Sequence, residues 1–156
     1  MQSKFFNHQG ASLHYQIGGK EAASVMVLLH GGFGSIADFE PLLPRLLQHY
    51  RVIAVDTRGH GRSTLGTTAL TYAQAADDVR QILRNESVEN YSLFGFSDGG
   101  ITAYRLGAED ENVEKIITVG AEWHQKHLNR VRSMFEALNL NIVKEKLPPK
   151  LFQAAL

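Results

Sequence analysis

Residues 93–100 read Leu-Phe-Gly-Phe-Ser-Asp-Gly-Gly and separate two segments of different character. An apolar, strand-like run over 90–94 leads into them, and a helix-compatible run over 101–108 follows. A Gly-x-Ser-x-Gly sequence between a strand and a helix is typical of a nucleophile elbow, whose tight turn lifts the serine hydroxyl above a sheet. Side chains at the two motif glycines would clash in such a turn. The pattern therefore predicts that Ser97 is a nucleophile beside the positive end of a helix.

Apolar runs alternate with helix-like runs along the chain. Continuous apolar runs are typical of strands buried on both faces of a parallel sheet. Predicted strands cover residues 24–29, 51–55, 91–94 and 113–119, and a predicted hairpin pairs 4–7 with 13–17 around Gly10. Predicted helices cover 37–49, 71–83 with Thr71 as N-cap, 101–106 and 127–138. The alternation predicts an α/β fold with a mostly parallel sheet, flanking helices and an N-terminal antiparallel hairpin.

The overall composition excludes several functional classes. Lys plus Arg and Asp plus Glu both number 16, so no charge excess favours nucleic acid or an anionic membrane as a partner. With no cysteine in the chain, disulfide and thiolate chemistry are excluded. The first ten residues lack the apolar core of a signal peptide, and no apolar run is long enough to cross a bilayer. We therefore expect a cytoplasmic location.

A second glycine-rich loop, His30-Gly31-Gly32-Phe33-Gly34, follows the strand predicted over 24–29. Such a loop can approach a substrate carbonyl closely and offer it a backbone N–H. We expect Gly32 to be this donor, with Phe33 as the alternative, and Asp98 to supply the second N–H. The Phe33 side chain would also form an apolar wall of the pocket.

The same loop supports a competing interpretation. Gly32-x-Gly34-x-x-Ala37 follows a strand, and Asp56 ends the next strand at a spacing compatible with a ribose-binding acid. This is the pattern of an NAD-binding domain. It leaves the Gly-x-Ser-x-Gly motif unexplained, whereas a serine enzyme accounts for both loops.

The segment Asp56-Thr57-Arg58-Gly59-His60-Gly61-Arg62-Ser63 predicts a structural loop beside the site. We expect Asp56 and Arg58 to form an ion pair that shapes it. His60 precedes the nucleophile and lies in the wrong loop for a base. The remaining early histidines, His8, His14 and His49, are predicted to be structural or solvated. Their spacing, without a cluster of carboxylates, indicates no metal site.

Taken together, the motifs at 30–34, 56–63 and 95–100 resemble those of the α/β-hydrolase fold superfamily, over about residues 5–138. The elbow is most similar to that of valacyclovir-hydrolase-like serine esterases. The resemblance implies hydrolysis of a small-molecule carboxylic ester or related bond through an acyl-serine intermediate, without a cofactor. It also implies that residues 1–121 form the N-terminal part of the hydrolase core and that 122–156 begin a lid. Side chains expected to line the pocket are Phe33, Trp123, Phe135 and Leu138.

Serine hydrolases need a histidine base and an orienting acid. In this superfamily both follow the serine, on loops after later strands. No strand is predicted after 113–119, so we expect a sheet truncated before its last strands and a base and acid beyond Leu156. The chain would then be a weakly active or inactive fragment that self-associates or binds a complementing C-terminal segment. A compact triad of Ser97, Glu122 and either His124 or His127 is an alternative that sequence order permits.

Two further functional classes stay open. One is a non-hydrolytic enzyme on the same fold, such as a lyase or perhydrolase. The other is a catalytically silent protein that keeps the elbow to bind a ligand. Neither fold nor motif identifies the substrate.

Overall fold

The computed structural model describes residues 1–121, and the fold is an α/β sheet with helices on both faces. Within this range six strands form one sheet in the order β1-β2-β4-β3-β5-β6. The strands are β1 Gln2–His8, β2 Ala11–Gly19, β3 Val25–Leu29, β4 Arg51–Val55, β5 Tyr91–Phe96 and β6 Val113–Val119. The helices are a 3₁₀ helix at Ile36–Phe39, α1 Leu43–His49, α2 Tyr72–Asn85 and α3 Asp98–Glu109.

The predicted fold class is confirmed. β1 and β2 form the predicted antiparallel hairpin, and β2 also pairs antiparallel with β4. The remaining pairs, β3 with β4, β3 with β5 and β5 with β6, are parallel. The carboxyl ends of β3 and β5 therefore lie side by side, which brings the glycine-rich loop next to the predicted elbow.

Alternating residues of the central strands fill two cores. One core combines Val25, Val27 and Leu29 of β3 with apolar residues of α2 and α3. The other combines Met26 and Leu28 with the 3₁₀ helix and α1. Because successive strand side chains point to opposite faces, a continuous apolar strand can pack against helices on both sides.

The single helix predicted over 37–49 is wrong. The segment instead forms the 3₁₀ helix, a turn in which the Leu42 N–H donates to the Phe39 carbonyl at 2.8 Å, and then α1. Pro41 and Pro44 explain the break, because proline lacks an N–H for the helical ladder and restricts the residue before it. Pro44 is tolerated only because it stands in the first turn of α1.

Helix α2 begins where the sequence predicted. Thr71 is its N-cap, and its hydroxyl accepts a hydrogen bond from the Gln74 N–H. Helix α3, Asp98–Glu109, includes the predicted 101–106 and starts directly after Ser97. Ser97 is thus the only residue between β5 and α3.

Candidate active site

Ser97 joins β5 to α3 in a conformation that L-residues rarely adopt. Its backbone has φ 49° and ψ −116°. The Ser97 carbonyl accepts from the N–H groups of Gly100 at 2.9 Å and Ile101 at 3.2 Å, and its own N–H donates to Val119 at 2.9 Å. A residue held at such dihedrals costs about 1–3 kcal/mol, which the surrounding hydrogen bonds must offset. These hydrogen bonds therefore hold Ser97 in the strained conformation that an elbow requires.

The motif glycines permit the close backbone packing at this turn. A Cβ on Gly95 would lie 2.5 Å from the carbonyl oxygen of Gly99. A Cβ on Gly99 would lie 2.1 Å from the carbonyl oxygen of Leu29, at the end of β3. Both contacts are with backbone atoms, which cannot move aside without shifting an element. Both glycines are consequently required for steric reasons.

The loop after β3 lies directly against the elbow. A Cβ on Gly31 would lie 3.2 Å from the Cβ of Ser97, and a Cβ on Gly32 would lie 2.4 Å from Oδ2 of Asp98. The Gly34 N–H closes the loop by donating to the Gly31 carbonyl at 3.1 Å. Phe33 has φ 65°, and its side chain is 64% exposed.

The N–H groups predicted to bind an oxyanion are uncommitted within residues 1–121. No acceptor in this range pairs with the backbone N–H of Gly32, Phe33 or Asp98. Donors that are not paired with a protein acceptor can turn to a charge that develops on a substrate. The two loops can thus supply donors from two directions beside Ser97.

His30 anchors the glycine-rich loop, a role that the sequence did not reveal. Its Nδ1–H donates to the Gly31 carbonyl at 2.7 Å, and its Nε2 accepts from the Thr57 N–H at 3.0 Å. Burial lowers the pKa of the His30 imidazole, and the nearby His60 acts in the same direction, whereas the Gly31 carbonyl opposes them. A neutral imidazole with a fixed tautomer therefore links this loop to the loop after β4.

Tyr72 holds the side chain of Asp98. Its hydroxyl donates to Oδ1 of Asp98 at 2.9 Å. Burial raises the pKa of Tyr72, and the Asp98 charge and this hydrogen bond raise it further, so the phenol stays protonated and donates. The contact joins the first residue of α2 to the first residue of α3. Nothing in the local sequence around either residue indicates it.

Five histidines lie in the described range, and none is hydrogen-bonded to the Ser97 hydroxyl. His8, His14, His30 and His60 each bond to other groups of the protein, through contacts with Asp77, Asp56, Gly31 and Arg58 respectively. His49 ends α1 with an exposed side chain. His8 and His14, predicted to be structural or solvated, each contact a carboxylate. Sequence candidates at Glu122, Trp123, His124, His127, Phe135 and Leu138 lie outside the described residues.

The predicted Asp56–Arg58 ion pair is wrong. Arg58 instead forms a two-pronged pair with Asp78 of α2, from Nε to Oδ2 at 2.8 Å and from Nη2 to Oδ1 at 2.6 Å. Asp56 binds His14 and the backbone N–H groups of Ile36 and Arg62. Proximity in the sequence suggested the wrong partner for Arg58, because Asp78 is brought near only by the fold.

The same contacts remove the dinucleotide interpretation. The Asp56 residue is 2% exposed, and its carboxylate oxygens already accept three hydrogen bonds from the protein. It is therefore not available to a ribose hydroxyl. In addition, a short 3₁₀ helix follows the glycine-rich loop, where the fingerprint requires a longer helix that opens on the phosphates.

No helix in residues 1–121 combines the length and apolarity needed to cross a bilayer. Over the same range, no group of three or more His, Cys, Asp or Glu side chains is arranged to hold a metal ion.

Comparisons with known proteins agree with this architecture. A family model described as alpha/beta hydrolase fold matches residues 24–154. The chain is 36% identical over 101 residues to 3-oxoadipate enol-lactonase 1 of Acinetobacter baylyi, which covers 65% of this chain and 38% of that protein. It is 39% identical over 75 residues to 2-succinyl-6-hydroxy-2,4-cyclohexadiene-1-carboxylate synthase of Pectobacterium atrosepticum, which covers 48% of this chain and 29% of that protein.

Solved structures give the same result. A carboxylesterase structure from the thaumarchaeon Nitrososphaera gargenis superposes with a TM-score of 0.78 at 26% identity, over 93% of this chain and 58% of that chain. The chain spans well under half the length of the two curated relatives named above.

Proposed function

The chain belongs to the α/β-hydrolase fold family, and on this basis we propose that it acts in hydrolysis of a carboxylic ester or a related carboxylic bond through an acyl-serine intermediate. The observation that carries the proposal is Ser97 itself, held at φ 49° between β5 and α3 with the glycine-rich loop against it. An elbow of this kind exposes a nucleophile at the carboxyl edge of the sheet.

In the proposed reaction a histidine base removes the Ser97 hydroxyl proton while Oγ attacks the carbonyl carbon of the substrate. The negative charge that develops on the carbonyl oxygen is bound by the N–H groups of Asp98 and Gly32, with Phe33 as the alternative to Gly32. The base then protonates the departing alcohol, and an acyl group remains on Ser97. Water, activated by the same base, releases the acid and restores the serine.

Two residues hold in place the segments that carry the proposed oxyanion donors. His30 fixes the backbone of the glycine-rich loop through the Gly31 carbonyl, and Tyr72 fixes the side chain of Asp98. Both contacts are buried or half-buried, so water competes with them weakly. We infer that they hold the two donor loops in register.

We propose a small carboxylic ester or lactone as the substrate class. The similar proteins include an enol-lactonase and a carboxylesterase, which by name act on a lactone and on carboxylic esters. Phe33 offers an exposed apolar ring beside the donors. The lid over residues 122–156, with Trp123, Phe135 and Leu138 lining the pocket, stays a prediction, as does the cytoplasmic location.

A fluorophosphonate probe and p-nitrophenyl acetate test the proposal. We expect the probe to label Ser97 and the Ser97→Ala variant to lose both the label at this position and any ester turnover that depends on it, by about a thousandfold or more. Ser24→Ala is the matched control, because Ser24 is an exposed serine in the loop before β3. Unchanged turnover in Ser97→Ala would refute the assignment.

The identity of the base needs its own variants. His124→Ala and His127→Ala, assayed with the same ester, separate the compact triad from a base supplied elsewhere. Full activity in both variants would exclude the compact triad. A loss confined to one variant would assign that histidine as the base.

One comparison favours a second candidate function. The synthase of Pectobacterium atrosepticum is not named as a hydrolase, although it is 39% identical over the shared stretch. A non-hydrolytic reaction at the same site would consume substrate without forming the free acid and alcohol of an ester. Product analysis by mass spectrometry distinguishes the two reactions, and a bound but unchanged substrate would indicate a silent binding protein.

We also propose that the β6 side of the sheet associates with a second copy or with a complementing segment. In the described range β6 has a strand neighbour on one side only. Ile117 and Val119 of β6 are each 48% exposed. An unpaired strand with apolar side chains is a template for further pairing. Sedimentation velocity of the chain and its Ile117→Lys variant tests this, with a lower average mass expected for the variant.

A further inference from the structure

A second serine, histidine and aspartate are connected by hydrogen bonds on the N-terminal hairpin. Ser3 Oγ lies 2.7 Å from Nε2 of His14, and Nδ1 of His14 lies 2.7 Å from Oδ2 of Asp56. The three residues come from β1, β2 and the end of β4. This is the connectivity of a nucleophile, a base and an orienting acid. None of the three belongs to the Ser97 site.

The hydrogen bonds of Arg62 indicate where the protons lie in the Ser3–His14–Asp56 relay. Arg62 Nη1 lies 2.9 Å from Ser3 Oγ and 3.3 Å from His14 Nε2. A guanidinium can only donate, so its approach fits a His14 ring whose Nε2 carries a lone pair. The ring proton is then on Nδ1 and is donated to Asp56. The shorter contact to Nε2 is left for the Ser3 hydroxyl, which donates its proton toward the base.

The surroundings combine a rigid base with an accessible hydroxyl. His14 and Asp56 are 1% and 2% exposed, whereas Ser3 is exposed. The carboxylate is held further by the backbone N–H groups of Ile36 and Arg62, at 2.8 and 2.9 Å. The imidazole therefore has one orientation, and the nucleophile can be reached from solvent.

The same face of the hairpin offers contacts to an incoming group. Ser3 and Phe5 point to one face of β1 because strand side chains alternate, and Phe5 pairs with His14 across the hairpin. The Phe5 side chain is 51% exposed, and the Arg62 guanidinium lies 5.0 Å from its ring centroid. An apolar ring and a cation thus flank the Ser3 hydroxyl.

We propose that Ser3 is a second nucleophile that is acylated by activated carboxylic esters. His14 Nε2 takes the hydroxyl proton as Ser3 Oγ forms a bond to the carbonyl carbon. Arg62 donates to the negative carbonyl oxygen of the tetrahedral intermediate. The bond to the leaving oxygen then breaks, and His14 gives its proton to that oxygen, or to water where the leaving group departs as an anion. The acyl group stays on Ser3. Asp56 is a positioning residue that holds the tautomer of His14.

The first experiment isolates Ser3 from the proposed elbow nucleophile. The Ser97→Ala chain is incubated with p-nitrophenyl acetate and analysed by intact-mass and peptide mass spectrometry. We expect one added acetyl group on Ser3, its loss in Ser97→Ala/Ser3→Ala and its retention in Ser97→Ala/Ser24→Ala. Acetylation spread evenly over exposed serines, or absent from Ser3, overturns the proposal. Because Ser97 is already removed, the result is independent of the function proposed for the elbow.

The second experiment uses the absence of cysteine from the sequence. Ser97→Ala/Ser3→Cys and Ser97→Ala/Ser24→Cys each carry a single thiol, whose alkylation by iodoacetamide is followed from pH 5 to 9. A thiol beside a histidine and an arginine has a lowered pKa and reacts faster near neutrality, here by about tenfold. Adding His14→Gln should remove that advantage, with folding checked by circular dichroism. Rates within twofold for the two thiols would show that the relay is a structural hydrogen bond only.

Discussion

Ser97 owes its position to backbone geometry, and that geometry carries an energetic cost. Its φ of 49° with ψ of −116° lies in a region that glycine adopts freely and serine does not. The sequence predicted the turn because glycines stand at the two positions where a side chain would clash in a strand-to-helix turn. It could not predict His30 or Tyr72 as supports, since each bonds to a loop or helix that only the folded sheet brings near.

We predict that Ser97→Gly is more stable than Ser97→Ala by about 1–3 kcal/mol, because glycine relieves the unfavourable dihedrals that alanine retains. Both variants lose the nucleophile, so the comparison isolates backbone strain from function. Urea denaturation followed by circular dichroism measures the difference. Equal midpoints and slopes for the two variants would contradict the strain.

A second prediction at this scale compares two glycines of α3. Gly99→Ala should destabilise the fold by about 3 kcal/mol, since its Cβ would lie 2.1 Å from the Leu29 carbonyl oxygen. Gly107→Ala is the control, because the one close contact of its Cβ would be with the Cδ1 tip of Ile116 at 2.3 Å, which can rotate away, and alanine favours a helix. We expect the Gly107→Ala free energy of unfolding to stay within about 1 kcal/mol of the parent. A similar loss in both variants would argue against backbone crowding at Gly99.

At the scale of elements, the strands were the most predictable part of the chain. β3, β4 and β5 are short apolar runs bounded by polar residues. A strand that is buried on both faces of a sheet has this pattern, because side chains on both sides must be apolar. The segment between β3 and β4 was predicted as one helix because its leucines follow a helical period. The two prolines divide the segment, because proline lacks the N–H that a continuous helix needs. The spacing of the leucines does not reveal this break. Contacts between the hairpin and α2 were invisible in the sequence for a different reason, which is their separation along the chain.

One of these contacts gives the fold a predictable response to alkali. The Tyr15 hydroxyl of β2 donates to Oε1 of Glu86, the residue that ends α2. Burial, together with the hydrogen bond and charge of Glu86, raises the pKa of Tyr15 to about 12. A raised pKa favours the protonated phenol in the folded state. The stabilisation is therefore complete below about pH 10 and is lost as the pH rises through about 12.

Two pKa units correspond to about 3 kcal/mol, so Tyr15 accounts for up to this much of the fall in unfolding free energy between pH 10 and 12. We predict that the Tyr15→Phe variant lacks this part of the fall. Tyr72 and Tyr91, whose pKa values burial also raises, leave a residual slope in the variant. The measurement is the urea-derived free energy of unfolding at several pH values. Identical alkaline slopes for parent and variant would contradict the proposed origin.

At the scale of the whole molecule, one buried ion pair joins three parts of the chain. Arg58 lies in the loop after β4, pairs with Asp78 of α2 and also donates to the carbonyls of His8 and Gln9 in the hairpin turn. Both side chains are almost fully buried. The sequence placed Arg58 beside Asp56, because proximity in the chain was the only available guide. Its true partner lies 20 positions further along.

Asp78→Asn should cost about 3–5 kcal/mol, because it leaves the Arg58 charge buried without its counter-ion. Asp77→Asn is the matched control on the same helix. Asp77 bonds to His8, but its side chain is 31% exposed, so we expect a loss of about 1 kcal/mol or less. Thermal and urea unfolding of both variants measure the difference. Comparable losses would show that burial of the Arg58 pair has little energetic weight.

The central place of β3 in the sheet has a consequence for the rate at which the chain folds. Val25 of β3 lies opposite Arg51 on one side and opposite Tyr91 on the other. The second pairing closes a loop of about 66 residues. The chain loses the conformational entropy of this loop before the strand contacts can stabilise it. Substitutions in β3 should therefore slow refolding as well as weaken the final state. During synthesis, β3 can complete its pairing only after Gly95, the partner of Leu29, has left the ribosome.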